Sequence, residues 1–407
     1  MKTFWKKVGL LSVGSFIVAL SFFAGLYVDA SNRAPSEGQI TIYDKNGNPQ
    51  TVTVDFSLLY KTLDVIGRKY VDRGNASTTP DTIIYGAVKG LVDSLGDPYS
   101  MFFTPEENEK FEEELSGSLE GVGMSVGIKE DGFYVISPIK NSPAEKAGVK
   151  AGYKILKVAG QSVSDMSLDE AVKLIRGKKG TTVDVIFETE DGKEVKITMV
   201  RDVITVPAVE TKSEGKDVFY VKINEFNANA SAEFRTAMKD LYASKKKKLI
   251  IDLRNNPGGY LDSAVDIASW FLPSGKVVVT EDYGHGSKPR VHRSRGYNIF
   301  DDLQIVVLVN EGSASASEIL AGALADYNVA ALAGTKTYGK GSVQEVVYLD
   351  EGSALKITVA KWLTPKGKSL SNNGINPIFE VKNEDGPEDG TKSDKVMQKA
   401  LEILRAK

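Results

Sequence analysis

Gly312-Ser313-Ala314-Ser315-Ala316-Ser317-Glu318-Ile319 sets three serines among small residues at the head of an apolar helix, Ser317–Ala325. A serine in such company is sterically open to a substrate carbonyl. Tyr338-Gly339-Lys340-Gly341-Ser342-Val343-Gln344 follows, with Lys340 placed 25 residues after Ser315. Flanking glycines let the lysine backbone approach the serine, and the amine can then serve as the base. Other routes to hydrolysis are nearly absent. The chain has no cysteine, only two histidines, and neither an HExxH nor a GxSxG pattern.

Upstream, Leu249-Ile250-Ile251-Asp252-Leu253 reads as a buried strand and Leu261–Leu272 as a helix, joined by Arg254-Asn255-Asn256-Pro257-Gly258-Gly259. A Pro-Gly-Gly turn at a helix start exposes unpaired N–H groups that suit an oxyanion. A plain strand-to-helix turn is the alternative. Val218–Ile223, Ala230–Ala243, Lys276–Thr280, Gln304–Val309 and Val329–Ala333 continue the alternation, so an α/β domain is expected. Ser317 reads as the helix cap with Glu318 in the first turn, and Ser313 as a rival nucleophile only if the turn rotates. Asp326, at the helix end, reads as a structural hydrogen-bonding group rather than a third catalytic member. His285 and His292 fall in a Gly- and Arg-rich loop, Tyr283–Gly296, as surface residues. Ser244 and Lys247 spell SxxK without its SDN or KTG companions, an accidental match.

At 407 residues, 42% hydrophobic and 26% charged, the chain is long enough for two or three domains. A net charge of −3 gives no reason to expect nucleic acid. The lack of cysteine excludes disulfides, thiolate chemistry and thiolate metal ligation, and neither a cofactor nor a metal is expected. Lys2, Lys6 and Lys7 precede an uncharged run from Val8 to Val28, about the length of a membrane-spanning helix. The lysines would stay cytoplasmic, with everything after Asp29 outside. Val28-Asp29-Ala30 leaves a cleaved signal, and hence secretion, as the alternative. Residues 1–29 are thus the anchor or signal, and 30–55 a linker with a hairpin turning at Asn46-Gly47-Asn48-Pro49. Residues 56–116 form a helical module built from Phe56–Val71, Thr82–Leu95 and a helix starting at Thr104-Pro105.

Residues 117–202 change character to short strands, glycines and two amphipathic helices. This segment resembles a bacterial PDZ domain in Gly121-Val122-Gly123-Met124, Ser142-Pro143-Ala144 with Ala147-Gly148, Val158-Ala159-Gly160 and Ile175-Arg176-Gly177-Lys178-Lys179-Gly180. Tyr153 departs from the family's Gly-Asp. The glycine loop can nest a carboxylate, an extended peptide can pair along Ser125–Ile128, and Leu168, Val172 and Ile175 would wall the groove. A small β-domain whose glycines only serve turns is the alternative reading of the residues.

Together with Ser315 and Lys340, Gly86-Ala87-Val88-Lys89-Gly90-Leu91, Asp97-Pro98-Tyr99-Ser100, Leu363-Thr364-Pro365-Lys366-Gly367 and Gly374-Ile375-Asn376-Pro377 make nearly the whole chain similar to the carboxyl-terminal processing, or tail-specific, proteases. The resemblance implies a crotonase- and ClpP-like αββ core over residues 203–383, the PDZ domain inserted before it, and a C-terminal helical segment at 384–407. It implies Ser315 as nucleophile, Lys340 as base, Gln344 orienting the lysine, and an oxyanion hole from the N–H groups of Ala316 and of Gly258 and Gly259. It also implies protein or peptide substrates with free C-termini, and a homodimer through the helical module. A free lysine has a pKa of about 10.4, and a base near neutral pH needs roughly 7–8. Apolar neighbours such as Ala314, Ala316 and Val343 would favour the neutral amine by desolvation. Arg176, at a helix end, is placed to reach a neighbouring domain and couple tail binding to activation; a solvated arginine is the alternative.

Two other function classes fit parts of the chain: a PDZ scaffold with a disused peptidase domain, and acyl-group chemistry on a small molecule. The presence of every expected chemical group argues against the first, and a peptide-tail reader against the second.

Overall fold

The computed structural model describes residues 37–43, 48–71, 79–129, 132–164, 166–189, 191–284, 286–300, 302–371, 373–382 and 394–406. The apolar run at residues 8–28, the hairpin turn at Asn46-Gly47 and His285 lie outside them. Among the described residues no helix is long and apolar enough to cross a membrane. The chain divides into two compact units, residues 1–87 and 88–407. In the first, Glu37–Tyr43 pairs antiparallel with Pro49–Asp55 ahead of a helix, Ser57–Lys69, that buries none of its residues.

In the second unit, residues 117–205 hold a sheet ordered Glu194–Val200, Thr182–Glu188, Lys154–Val158, Gly132–Pro138, Met124–Lys129, closed over Val135, Ile155, Val185 and Phe187. Ser142 and Ser167 cap its two helices, the second through a reciprocal capping box with Glu170.

The larger core is a six-stranded sheet ordered Val209–Glu214, Val218–Ile223, Lys248–Asp252, Gln304–Val309, Ala330–Gly334, Phe379–Glu380, parallel after its first pair. Alternate side chains enter different cores, as a sheet covered on both faces requires. Val221, Ile223, Leu249 and Ile251 pack under the helices Ala230–Ser244, Leu261–Ala268 and Ala316–Asp326. Tyr220, Ile250, Val306 and Leu308 pack under Lys395–Ala406. A second sheet, ordered Arg290–Arg293, Val277–Asp282, Ala354–Leu363, Ser342–Tyr348, carries the lysine segment.

Two expectations change here. The helix from Leu261 stops at Ala268 instead of Leu272, because the Ser269 hydroxyl donates back to the Val265 carbonyl at 2.6 Å and its N–H is shared between the Val265 and Asp266 carbonyls. The loop expected at Tyr283–Gly296 contains an edge strand, so His292 is no surface residue: its ring nitrogen lies 2.6 Å from the buried carboxylate of Glu281.

The C-terminal helix is tied to the turn after Asp252. The Arg254 guanidinium donates to both oxygens of buried Asp252 and, at 2.9 Å, to Asp394 Oδ1, which also accepts the Met397 N–H. Asp394→Ala removes a helix cap and an ion pair at once. It is expected to cost about 1–2 kcal/mol, read as a lower midpoint in denaturant unfolding.

Candidate active site

The Gln304–Val309 strand delivers the chain to Ser315, the residue that caps the Ala316–Asp326 helix. Ser315 has φ +53° and ψ −114°, a conformation that costs a non-glycine residue about 1–3 kcal/mol and recurs where chemistry is done. The three serines separate by surroundings. Ser313 and Ser317 are fully buried, their hydroxyls donating to the Leu253 carbonyl at 2.7 Å and the Asn256 carbonyl at 3.0 Å. Ser315 is half-exposed. Ser317 therefore does not cap the helix as expected, since its hydroxyl fastens the helix to the neighbouring turn.

Glu318 joins the two halves of the site. Its carboxylate is wholly buried and accepts four hydrogen bonds. Oε1 takes the Thr337 hydroxyl at 2.6 Å and the Gly339 N–H at 2.8 Å. Oε2 takes the Ser315 N–H at 3.0 Å and the Lys340 N–H at 2.9 Å. The amide nitrogens of residues 315 and 340 therefore lie no further apart than those two bonds laid end to end. Gly341 must be glycine here, because a side-chain carbon would sit 1.8 Å from the Ser371 nitrogen. The Ser-x-x-Glu spacing is the sequence signal for Glu318, beyond its place as a first-turn acid.

Lys340 lines a cleft of about 510 Å³ with Tyr99, Pro257, Gly312, Ala314 and Tyr338. Burial, and then the nearby Lys356, pull its pKa below the usual lysine value, while Glu318 and Asp97 oppose them. Among the described residues the amine has no hydrogen bond or ion pair, and it lies 5.4 Å from the centroid of the Tyr99 ring. Gln344 is placed differently from expectation. Its amide nitrogen donates to Ser342 Oγ at 2.7 Å and to Thr358 Oγ1 at 3.1 Å, and not to or from Lys340. The cause is register: Thr358 is the directly opposed residue on the neighbouring strand.

Beside Ser315, buried Asn256 organises the Pro-Gly-Gly turn. Its Nδ2 donates to the Ile223 carbonyl at 2.7 Å, and its own carbonyl accepts the Ala314 N–H at 3.0 Å. Gly258 has φ +111°, and a side-chain carbon there would come within 2.7 Å of Ser315 Cβ. The Gly258 N–H already donates to Asn256 Oδ1 at 2.9 Å, so this expected oxyanion donor is engaged. The N–H groups of Gly259 and Ala316 have no partner among the described residues; Ala316 is the first residue of its helix, where the N–H has no intrahelical acceptor.

In the PDZ-like segment, Met124–Lys129 is an edge strand, open on one side for an added peptide strand. The Val122 side chain is buried in the core, so it meets the groove only through its backbone, and Ile175 is likewise buried. Met124 and Leu168 pack partly buried against that core, and Val172 is half-buried. Gly121 lies against Arg176, whose Nη1 donates to Glu113 Oε2 at 2.8 Å. Asp326 accepts the Lys366 N–H at 3.0 Å, a structural hydrogen bond.

Comparison with known proteins agrees with this architecture. The Peptidase family S41 profile matches residues 217–381, and the PDZ domain profile residues 111–187. The carboxy-terminal processing protease CtpA of Bacillus subtilis (strain 168) is 38% identical over 322 residues, 79% of this chain and 68% of that protein. A CtpA-like serine protease of Staphylococcus aureus (strain MRSA252) is 39% identical over 378 residues, 93% of this chain and 72% of the relative. A solved structure from Bacteroides fragilis, described as an S41 protease, shares the fold with a TM-score of 0.54 at 19% identity, covering 84% of this chain and 96% of that one. The chain belongs to peptidase family S41, among the carboxy-terminal processing serine proteases that carry a PDZ domain.

Proposed function

We propose that this protein is an exported endopeptidase that cuts proteins near their C-termini with a Ser315–Lys340 pair. The observation that carries the reading is the single oxygen of Glu318 shared by the N–H groups of both residues. Lys340, as the neutral amine, takes the proton from Ser315 Oγ as the hydroxyl attacks the scissile carbonyl. The N–H groups of Ala316 and Gly259 receive the developing oxyanion. Lys340 then protonates the leaving amine, and the acyl-enzyme is hydrolysed by water activated at the same nitrogen. Gln344 supports the strand beside the base through Ser342 and Thr358.

The PDZ domain supplies substrate choice in this reading. The tail adds as a strand to Met124–Lys129, with its carboxylate in the loop of Gly121, Val122, Gly123 and Met124 and its last side chain against Leu168 and Val172. The N-terminal lysines and apolar run support a location at the cell membrane with the catalytic unit outside, or release after cleavage. Exposed Leu58, Tyr60 and Val65 on the Ser57–Lys69 helix support a homodimer through that module.

The test compares one peptide in two forms, with a free and an amidated C-terminus, products being identified by mass spectrometry. Amidation is expected to raise KM about tenfold or more, the worth of charge-assisted hydrogen bonds to the carboxylate. Equal KM values would overturn carboxylate capture.

A further inference from the structure

The cleft beside Ser315 contains a side chain with no part in the steps above. Tyr99 stands on a turn made rigid by its neighbours: its N–H donates to Asp97 Oδ1 at 3.1 Å, and the Ser100 hydroxyl donates to Asp97 Oδ2 at 2.7 Å. Ser100 is buried and accepts the Thr358 N–H at 3.0 Å, which fixes the turn to the Ala354–Leu363 strand. That strand pairs with Ser342–Tyr348, which begins two residues after Lys340. Both sides of the cleft are therefore held by one sheet, and the tyrosine ring is presented to the lysine amine at 5.4 Å from its centroid. This is within the ~6 Å over which a ring face attracts a cation.

The contact discriminates between protonation states. A ring face attracts an ammonium through its quadrupole and offers a neutral amine far less. Lys356, on the opposing strand, disfavours the ammonium, while Glu318 from the serine helix and Asp97 from the turn favour it. Tyr338, Glu311 and Asn255 complete the polar lining of the cleft. Burial, and then Tyr338, push the Tyr99 phenol above its ordinary value, which favours its protonated form. What Tyr99 turns toward the Lys340 amine is its ring, not an acceptor oxygen.

We propose that Tyr99 is a positioning residue acting through Lys340: its ring face holds the amine as ammonium in the resting enzyme and so sets the pH at which the base becomes available. This rests on Lys340 being the base. Activity needs the neutral amine, so kcat/KM rises with pH through the lysine pKa; a contact that favours the ammonium moves that rise to higher pH, and its loss moves it to lower pH.

The test is the pH profile of kcat/KM for full-length wild type, Tyr99→Leu and Tyr99→Phe. Tyr99→Leu is expected to move the acid limb to lower pH by about half a unit to one unit. Tyr99→Phe keeps a ring face and is expected to leave the limb in place. Replacing Tyr99 with phenylalanines bearing successive ring fluorines keeps shape and folding, and is expected to move the limb downward in steps. Titration of the Lys340 ε-methylene by NMR in a Ser315→Ala background reads the same change without turnover. An unmoved or upward-moved limb in Tyr99→Leu, or no trend with fluorination, overturns the role of Tyr99 while leaving the base intact. Activity in Lys340→Ala would remove the base itself, and the role of Tyr99 with it, and is seen separately.

Discussion

Lys340→Met and Lys340→Arg are expected to lose at least about 10,000-fold in kcat/KM, as losses of a nucleophile or its base do in other serine peptidases, while both proteins stay folded. Arginine cannot supply a neutral nitrogen at working pH, so retained charge is no help. The methionine variant separates a catalytic lysine from a structural one. A lysine kept for stability has a carboxylate partner, and its removal strands that partner. The Lys340 amine has no ion pair among the described residues, and burial already pulls its pKa down. For a lysine so shifted, the folded state binds fewer protons than the unfolded one, so stability falls as pH drops from the unfolded value through the folded value. A thioether on a similar stem is free of that cost. Lys340→Met is thus expected to be at least as stable as wild type at neutral pH, with any gain growing as pH falls. Denaturant unfolding beside a turnover assay reads both. A clearly destabilised Lys340→Met, or an active Lys340→Arg, would sink the neutral-amine base.

The elements of the fold were legible where period and punctuation agreed. Val218–Ile223 and Gln304–Val309 fall where the alternation of strand and helix put them. The Arg290–Arg293 strand escaped because its composition is that of a solvated loop; pairing with Val277–Asp282, which no local pattern encodes, makes it a strand. The candidate site divides along the same line. Ser315 and Lys340 stood out through the small residues that let backbones approach. Asn256 and Tyr99 did not, because what matters about them is where long-range contacts aim ordinary side chains. Gln344 shows the reverse: a residue type fit to bond an amine finds a cross-strand hydroxyl instead, and register is set by the whole sheet. The expectation for Ser317 failed for a related reason. Caps are read from local spacing, whereas its hydroxyl answers to the Asn256 carbonyl sixty-one residues away.

Glu318 carries the second large effect, and its two substitutions are expected to differ in an informative way. Glu318→Ala leaves four donors without their acceptor in a fully buried site and opens a cavity, costing about 3–5 kcal/mol. It also unties the Ser315 turn from the Lys340 loop, so kcat is expected to fall about a thousandfold, the loss that follows when reacting groups are no longer held in place. In the function proposed above, substrate is captured by the PDZ domain, away from Glu318, so KM is expected to change little. Glu318→Gln has a way out. A glutamine has one acceptor oxygen and one NH2, and the NH2 cannot face two N–H donors. On the Oε2 side both groups are backbone N–H, from Ser315 and Lys340. On the Oε1 side one donor is the Thr337 hydroxyl, whose oxygen accepts the Ile375 N–H at 2.7 Å and has a second lone pair with which it can accept once the hydroxyl rotates. The glutamine oxygen should therefore keep the bonds to residues 315 and 340, with the NH2 turned toward Thr337 and only the Gly339 bond lost. The expected cost is about 1–2 kcal/mol, with kcat within about tenfold of wild type. Adding Thr337→Val removes the rotating hydroxyl, and with it the acceptor of the Ile375 N–H, so it is compared with Thr337→Val alone; against that control it is expected to bring Glu318→Gln close to Glu318→Ala in kcat. Were Glu318→Ala to turn over like wild type, or Glu318→Gln to fall as far as alanine, the shared carboxylate would not be what brings the serine and the lysine together.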